Sequence, residues 1–216
     1  MMNHAEKMDK IYRYQRHIYD ATIKYFLLGR DTLLERLPIQ PHQHILEMGC
    51  GTGRNLVRLT RRYPSAHFYG IDASQEMLSA AQKKFKKVVS KQRVILRHGL
   101  AENLNHSHVF DLEKPFDCIF FSYTLSMIPS WQIAVETALQ NLKPNGVLCV
   151  VDFFDLAALP SWFQKALNKW LNFFSVRYDP AWLPYFKSLE QQGLGKLECW
   201  GLYNRYTLLL RFTKNA

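Results

Sequence analysis

Three glycines at alternate positions, Gly49, Gly51 and Gly53, follow the apolar run that begins at His44, and a carboxylate, Glu47, stands just ahead of them. Glycines at a strand-to-helix turn accept dihedrals that other residues resist, and they let a ligand approach the main chain without a Cβ in the way. The spacing is GxGxG, whereas a loop that cradles a dinucleotide pyrophosphate reads GxGxxG. About 20 residues further on, Asp72 ends a second apolar run, where a carboxylate can accept both hydroxyls of a ribose. Together these residues fit a nucleoside ligand that carries no pyrophosphate. A glycine-rich turn alone is equally compatible with a structural tight turn, so the weight rests on the combination.

The elements that must hold these residues follow from periodicity. Short β-rich runs alternate with helical stretches, as in βαβ units that feed a parallel sheet. The pattern predicts strands at 44–48, 67–72, 93–98, 116–121 and 146–152, with helices at 54–63, 74–90 and 131–142. Ser74 is placed to cap the second helix and Glu76 to sit in its first turn, where both complement free backbone N–H groups. Upstream, residues 11–37 are rich in tyrosine and arginine, with spacing that suggests one or two amphipathic helices ending ahead of Pro38 and Pro41. This segment is expected to cover the mouth of the sheet as a lid. Beyond Asp152 comes a dense set of aromatics from Phe153 to Phe186, and the chain closes with two β-like runs joined through Tyr203, Asn204 and Arg205 as a hairpin.

In order, Glu47 to Gly53, Tyr69-Gly-Ile-Asp72 followed by Met77-Leu78, Gly99-Leu-Ala-Glu102, Phe116 to Ser122, and Leu142-Lys-Pro-Asn-Gly146 resemble the signature of class I S-adenosylmethionine-dependent methyltransferases. The resemblance covers roughly residues 40–155, and five ordered motifs make a chance match improbable. It implies an α/β, Rossmann-like fold: a seven-stranded, mostly parallel sheet with an antiparallel C-terminal strand, helices on both faces and an N-terminal helical lid. It implies one domain over 1–216, with the lid at 1–37, the cofactor core at 40–155, and an aromatic-rich helical insertion plus hairpin at 156–216. It also implies S-adenosyl-L-methionine as cofactor, S-adenosyl-L-homocysteine as product, and no metal. By the same resemblance the loop with Gly49, Cys50, Gly51 and Gly53 lies under the methionine part and Asp72 binds the ribose. Ala73 and Met77 flank the adenine, Leu100 and Ala101 meet its edge, and Ser122 with Tyr123 borders the transfer site. Cys50 reads as an inert buried thiol rather than a nucleophile.

A sulfonium donor already carries its leaving group, so the protein must align the acceptor in a dry site and need not supply a strong base. The tetrad that serves exocyclic base amines is absent, since the position reads Phe121-Ser-Tyr-Thr124, and the Pro-Cys of cytosine methylation is absent too. Both absences argue against a nucleic-acid acceptor. The run from Met8 to Asp31 and Ser122 to Trp131 resemble the N-methyltransferases of betaine-lipid synthesis, which implies methylation of the amine of a diacylglyceryl-homoserine headgroup. Aromatic faces hold a quaternary ammonium well, and Tyr12, Tyr14, Tyr19, Tyr25 and Tyr123 are the candidates, with Tyr19 and Tyr123 assigned to the reacting centre. Arg30 could bind the carboxylate of the cofactor or of the homoserine through its planar fork. The aromatics from Trp162 to Phe186 and the basic run from Lys83 to Lys87 would suit an interfacial enzyme, although core packing and a solvated helix face explain them as simply.

Composition bounds these readings. A chain of 216 residues can bury a substantial core as one domain. Twenty-eight Lys and Arg against 18 Asp and Glu give a net charge of +10, which favours a polyanionic partner such as an anionic membrane surface. No apolar run reaches the roughly 18 residues of a membrane span, and no secretory stretch opens the chain, so a cytoplasmic location, peripheral on the inner face of the membrane, is expected. Four well-separated cysteines read as reduced buried thiols. Two rivals to a lipid acceptor stay open: a soluble small molecule or quinone, and RNA.

Overall fold

The computed structural model describes residues 26–88, 94–173, 176 and 178–216, without the side chains of residues 87, 88, 172 and 173. The expectations placed on Tyr12, Tyr14, Tyr19, Tyr25, Phe174 and most of the 1–37 lid lie outside the described residues. A first helix, α1 (Arg30–Arg36), stops before Pro38, as the proline requires. Then follow β1 (His44–Met48), α2 (Arg54–Arg62), β2 (His67–Asp72), α3 (Gln75–Val88) and β3 (Val94–His98). The chain continues through α4 (His106–Phe110), β4 (Phe116–Ser122), α5 (Trp131–Gln140), β5 (Leu142–Phe153), α6 (Ser161–Phe173), α7 (Trp182–Gln191), β6 (Gly195–Leu202) and β7 (Thr207–Lys214).

The seven strands form one sheet in the order β3-β2-β1-β4-β5-β7-β6. All pairs from β3 to β5 are parallel, while β7 runs antiparallel to both β5 and β6. The expected architecture is therefore present. The chain order reverses direction across the sheet between β1 and β4, the position where open α/β sheets form a ligand crevice at the carboxyl ends of their strands.

Neighbouring residues on a strand point to opposite faces, so a strand covered on both sides reads as a continuous apolar run. β4 shows this: Ile119 and Phe121 join the core beneath α4, α5 and α7, while Cys118 and Phe120 join the core beneath α1, α2, α3 and α6. β5 is longer than the expected 146–152, because Leu142 already pairs with Phe116 before a register shift that the Pro144 to Gly146 stretch absorbs. Ser74 caps α3 as expected, its hydroxyl accepting the Met77 N–H at 3.3 Å.

Two expectations are corrected. Within the aromatic segment, Trp182 and Phe186 are fully buried in the core, and Tyr178 and Tyr185 pack against it, so these rings fill the fold rather than face a membrane. In the basic run on α3, Lys83 and Lys86 are exposed, while Lys84 reaches Thr52 at 3.0 Å and Phe85 turns inward against Gly53. Among the cysteines, Cys50, Cys118 and Cys149 are buried free thiols, but Cys199 is exposed on the edge strand β6. Among the described residues, no helix is long and apolar enough to cross a membrane.

Candidate functional site

The turn after β1 is tied to the end of β2 by its own backbone. The N–H groups of Gly49 and Cys50 both donate to the Ile71 carbonyl, at 2.8 and 3.1 Å. Gly51 N–H donates to Asp72 Oδ2 at 2.7 Å, and Ser74 N–H donates to the other oxygen, Oδ1, at 2.8 Å. The tight path needs left-handed backbone at Gly49 (φ +72°) and Gly51 (φ +50°). The two glycines differ in what a side chain would meet: a Cβ on Gly49 would lie 2.2 Å from Thr124 Cγ2, whereas one on Gly51 meets nothing within 4 Å. Gly49 is required by packing, and Gly51 leaves open space.

That space belongs to a cavity at the carboxyl ends of β1, β2 and β4, the place where open α/β sheets take their ligands. Glu47, Gly49, Cys50 and Gly51 form its floor, with Asp72, Ala73 and Met77 on one side. Leu100 and Ala101 close that side, and Arg30, Ser122 and Tyr123 stand on the other. Eleven positions from separate motifs and the reacting-centre candidate Tyr123 thus converge on one cavity. Gly53 does not line it: it precedes α2 and lies against Phe85 and Ala81 of α3, so its lack of a side chain serves helix packing. Tyr19 lies outside the described residues.

Electrostatically the floor is unusual. Glu47 is buried, and its Oε1 accepts from Asn55 Nδ2 at 2.7 Å. The second oxygen, Oε2, is equally buried and meets no donor among the described residues. Burial, opposed by the Asn55 hydrogen bond and reinforced by Asp72, raises the Glu47 carboxyl to about 8. Ser122 Oγ is a second buried oxygen on the cavity wall without a partner among the described residues. Burial and the neighbouring Arg54 pull the Arg30 guanidinium down, against the opposing charges of Asp31, Tyr123 and Glu47. Asp31 is pushed up by burial, yet Arg58 and Arg54 hold it below the usual carboxylate range. Burial beside Asp72 and Glu47 raises the Cys50 thiol far above its ordinary value, which removes its thiolate character. Among the described residues there is no group of three His, Cys, Asp or Glu placed to hold a metal.

The wall opposite Asp72 carries apolar Leu27, Met127 and Ile128 beside Arg30 and Ser122, and it is strapped down. Tyr123 adopts φ +57°, and its hydroxyl donates to the Leu28 carbonyl and shares a 3.0 Å hydrogen bond with Thr207. The Thr207 hydroxyl, which donates to Tyr123, also lies 3.2 Å from Leu28 O, and Tyr206 donates to Phe26 O at 2.8 Å. Three hydroxyls thereby sew residues 26–28 across the carboxyl end of the sheet and set Leu27 on the cavity wall beside Met127 and Ile128. The short 3-10 turn Leu125–Met127 is fixed from below by Asp152, fully buried at the end of β5, which accepts Ser126 N–H at 3.0 Å and Phe153 N–H at 2.8 Å. Burial raises the Asp152 carboxyl to about 6 despite these donors.

Sequence reasoning missed Asn55, Thr124, Leu27 and Asp152. Thr124 and Asp152 act on residues 75 and 26 positions away, and none of the four carries a motif of its own. Asn55 alone left a trace: a polar side chain in the first turn of a helix, eight positions after a buried acid, is on the right side to reach back to it.

Comparison with known proteins adds four findings. A family model described as a methyltransferase domain matches residues 39–195. The trans-aconitate 2-methyltransferase of Deinococcus radiodurans is 27% identical over 183 residues, covering 81% of this chain and 66% of that protein. The demethylmenaquinone methyltransferase of a Geobacillus species is 26% identical over 149 residues, covering 68% of this chain and 57% of its own. The chain thus spans about half to two thirds of the length of such curated relatives. Among solved structures, phosphoethanolamine N-methyltransferase 2 of Haemonchus contortus, crystallised with phosphomonomethylethanolamine and S-adenosylhomocysteine, superposes with a TM-score of 0.76. It covers all of this chain and 61% of its own, at 12% identity, which is a likeness of fold.

Proposed function

The chain belongs to the methyltransferase-domain family, and from that premise we propose that it binds S-adenosylmethionine in the cavity above β1, β2 and β4 and methylates an apolar small molecule of the quinol type. The observation that carries the reading is the pair of buried oxygens left over at the cavity wall, Glu47 Oε2 and Ser122 Oγ. Buried polar atoms need partners, and an α-ammonium group donates to such oxygens. On this reading Arg30 holds the cofactor carboxylate, Asp72 the ribose hydroxyls, and Ala73, Met77, Leu100 and Ala101 the adenine. The bound cofactor supplies a methyl group already activated on a sulfonium. What the chain adds is alignment and dryness: Tyr123 and Asp152 fix the wall that faces the acceptor, and Leu27, Met127 and Ile128 exclude water from it.

The acceptor class rests on that wall. A tricarboxylate acceptor would need cations on the acceptor side, yet of the two arginines that line the cavity Arg54 already pairs with Asp31 at 3.3 Å, and Arg30 is taken by the cofactor carboxylate on this reading. A flat apolar ring fits better, and demethylmenaquinone is the named substrate class of one relative. A second acceptor, the amine of a diacylglyceryl-homoserine headgroup, gains support from Phe26 and Leu28, which are exposed on either side of Leu27 and suit an acceptor with acyl chains. In both cases we read 1–216 as one domain with 1–37 as its lid and Tyr19 next to the acceptor.

Labelled S-adenosylmethionine offered together with a demethylated quinol, a tricarboxylate and an amine-headgroup lipid tests the acceptor class by mass spectrometry. Label in the quinol supports the first reading and label in the lipid the second. Label in the tricarboxylate alone overturns both.

A further inference from the structure

Six large hydrophobic side chains are exposed among the described residues: Phe26, Leu28, Ile133, Trp162, Leu194 and Tyr203. Phe26, Leu28 and Tyr203 lie at the carboxyl end of the sheet, and Trp162 follows on the segment that leaves that end of β5. Tyr206 and Tyr123 hold the backbone of Phe26 and Leu28 there. Tyr203 sits in the turn between β6 and β7, and the loop leading to α6 is bonded to the same turn through Phe154 N–H to Tyr206 O at 2.9 Å and Leu156 N–H to Arg205 O at 3.0 Å. That loop delivers Trp162, 72% exposed, at the start of α6, and the Phe26 ring lies 4.8 Å from Trp170 further along the same helix.

The surface beside Trp162 is basic. Lys165 and Lys169 follow it at spacings of three and seven, on one helical face, and both are exposed. Neither enters an ion pair among the described residues. From Leu156 to Tyr178 the sequence contains no aspartate or glutamate, so nothing within this stretch neutralises them.

We infer that this rim, led by Trp162, Lys165 and Lys169, docks on an anionic lipid bilayer and turns the cavity mouth toward the membrane. An indole settles at headgroup depth, and adjacent lysines are drawn to the negative surface potential. A second copy of the chain is the poorer occupant, because a two-fold contact would set the same lysines against one another. The inference borrows from the proposed function only its purpose, the capture of a membrane-dissolved acceptor. Docking is therefore tested without cofactor or acceptor, so that its failure is distinct from a failure of methyl transfer.

The test is flotation of the full chain with phosphatidylcholine vesicles that contain or lack phosphatidylglycerol. The wild type should float with the anionic vesicles and release as salt is raised. Lys165→Gln with Lys169→Gln should lower that partitioning roughly 25-fold, and Trp162→Ala about tenfold, with melting temperatures unchanged because all three side chains are exposed. Three results would each overturn the inference: no binding by the wild type, equal binding to both vesicle types, or binding indifferent to these substitutions. A concentration-dependent dimer that Trp162→Ala abolishes, without vesicle binding, would replace the bilayer by a second copy.

Discussion

Asn55 Nδ2 donates to Glu47 Oε1 at 2.7 Å, while the other oxygen of the same buried carboxyl has no donor among the described residues. Burial leaves the folded protein holding a proton on Glu47 up to about pH 8, against an ordinary value of 4.5. Between those limits the native state binds more protons than the unfolded state, so stability falls as pH rises from about 4.5 to about 8 and levels off above. The Glu47 part of that fall should amount to roughly 3 to 5 kcal/mol and should be lost in Glu47→Gln, which keeps a partner for Asn55 and leaves only the fall that the buried Asp152 carboxyl gives below about pH 6. Urea melts at a series of pH values measure it. An ammonium donor that reaches Oε2 would favour the ionised form, so cofactor binding near neutral pH should release protons in the wild type and fewer in Glu47→Gln. Calorimetry in buffers of different ionisation heat reads that release, and equal proton exchange in the two proteins would remove Glu47 from the ammonium site.

Gly49 and Gly51 should separate packing from binding. Gly49→Ala drives a methyl group into Thr124 and strains a left-handed residue, so it should cost about 2 to 4 kcal/mol of stability. Adding Thr124→Ser should recover part of that loss, because the clashing Cγ2 is removed. Gly51→Ala meets open space and should cost only about 1 to 2 kcal/mol from its positive φ. If the space is the ligand's, cofactor affinity in Gly51→Ala should fall well beyond that. A Gly51→Ala protein that binds the cofactor as tightly as the wild type would free the loop from that role.

These contrasts show what the sequence made legible. β1 and β2 end where expected because polar turns and the glycine run punctuate two apolar runs, and the convergence of Glu47, Asp72, Met77, Leu100 and Ser122 follows once those strands lie side by side. Contacts between distant residues left no such trace. Thr124 against Gly49, Asp152 beneath Ser126, and Tyr206 on the Phe26 carbonyl join positions 75, 26 and 180 residues apart. Aromatic density also misled, since Trp182 and Trp162 look alike in sequence, yet one is fully buried under the sheet and the other projects from α6.

Tyr123→Phe tests the strap over the mouth. The hydroxyl that bonds Leu28 and Thr207 is lost while the ring, packed 4.8 Å from Phe153, stays. Stability should fall by about 1 to 2 kcal/mol, the cost of buried partners left unmatched. With Leu27 loosened, the KM for the acceptor should rise severalfold while cofactor affinity changes less than twofold. Steady-state rates at saturating cofactor check this, and equal losses in both affinities would mean that Tyr123 acts on the cofactor side.

Titration calorimetry of S-adenosylmethionine into the wild-type chain and Asp72→Ala tests the cofactor assignment most directly. The Asp72 carboxylate is held at the cavity wall by the N–H groups of Gly51 and Ser74. The expected result is a single site in the wild type and binding at least about 30-fold weaker in Asp72→Ala, as the loss of charge-assisted hydrogen bonds implies. Unchanged affinity in Asp72→Ala, or no binding by the wild type, would contradict the assignment.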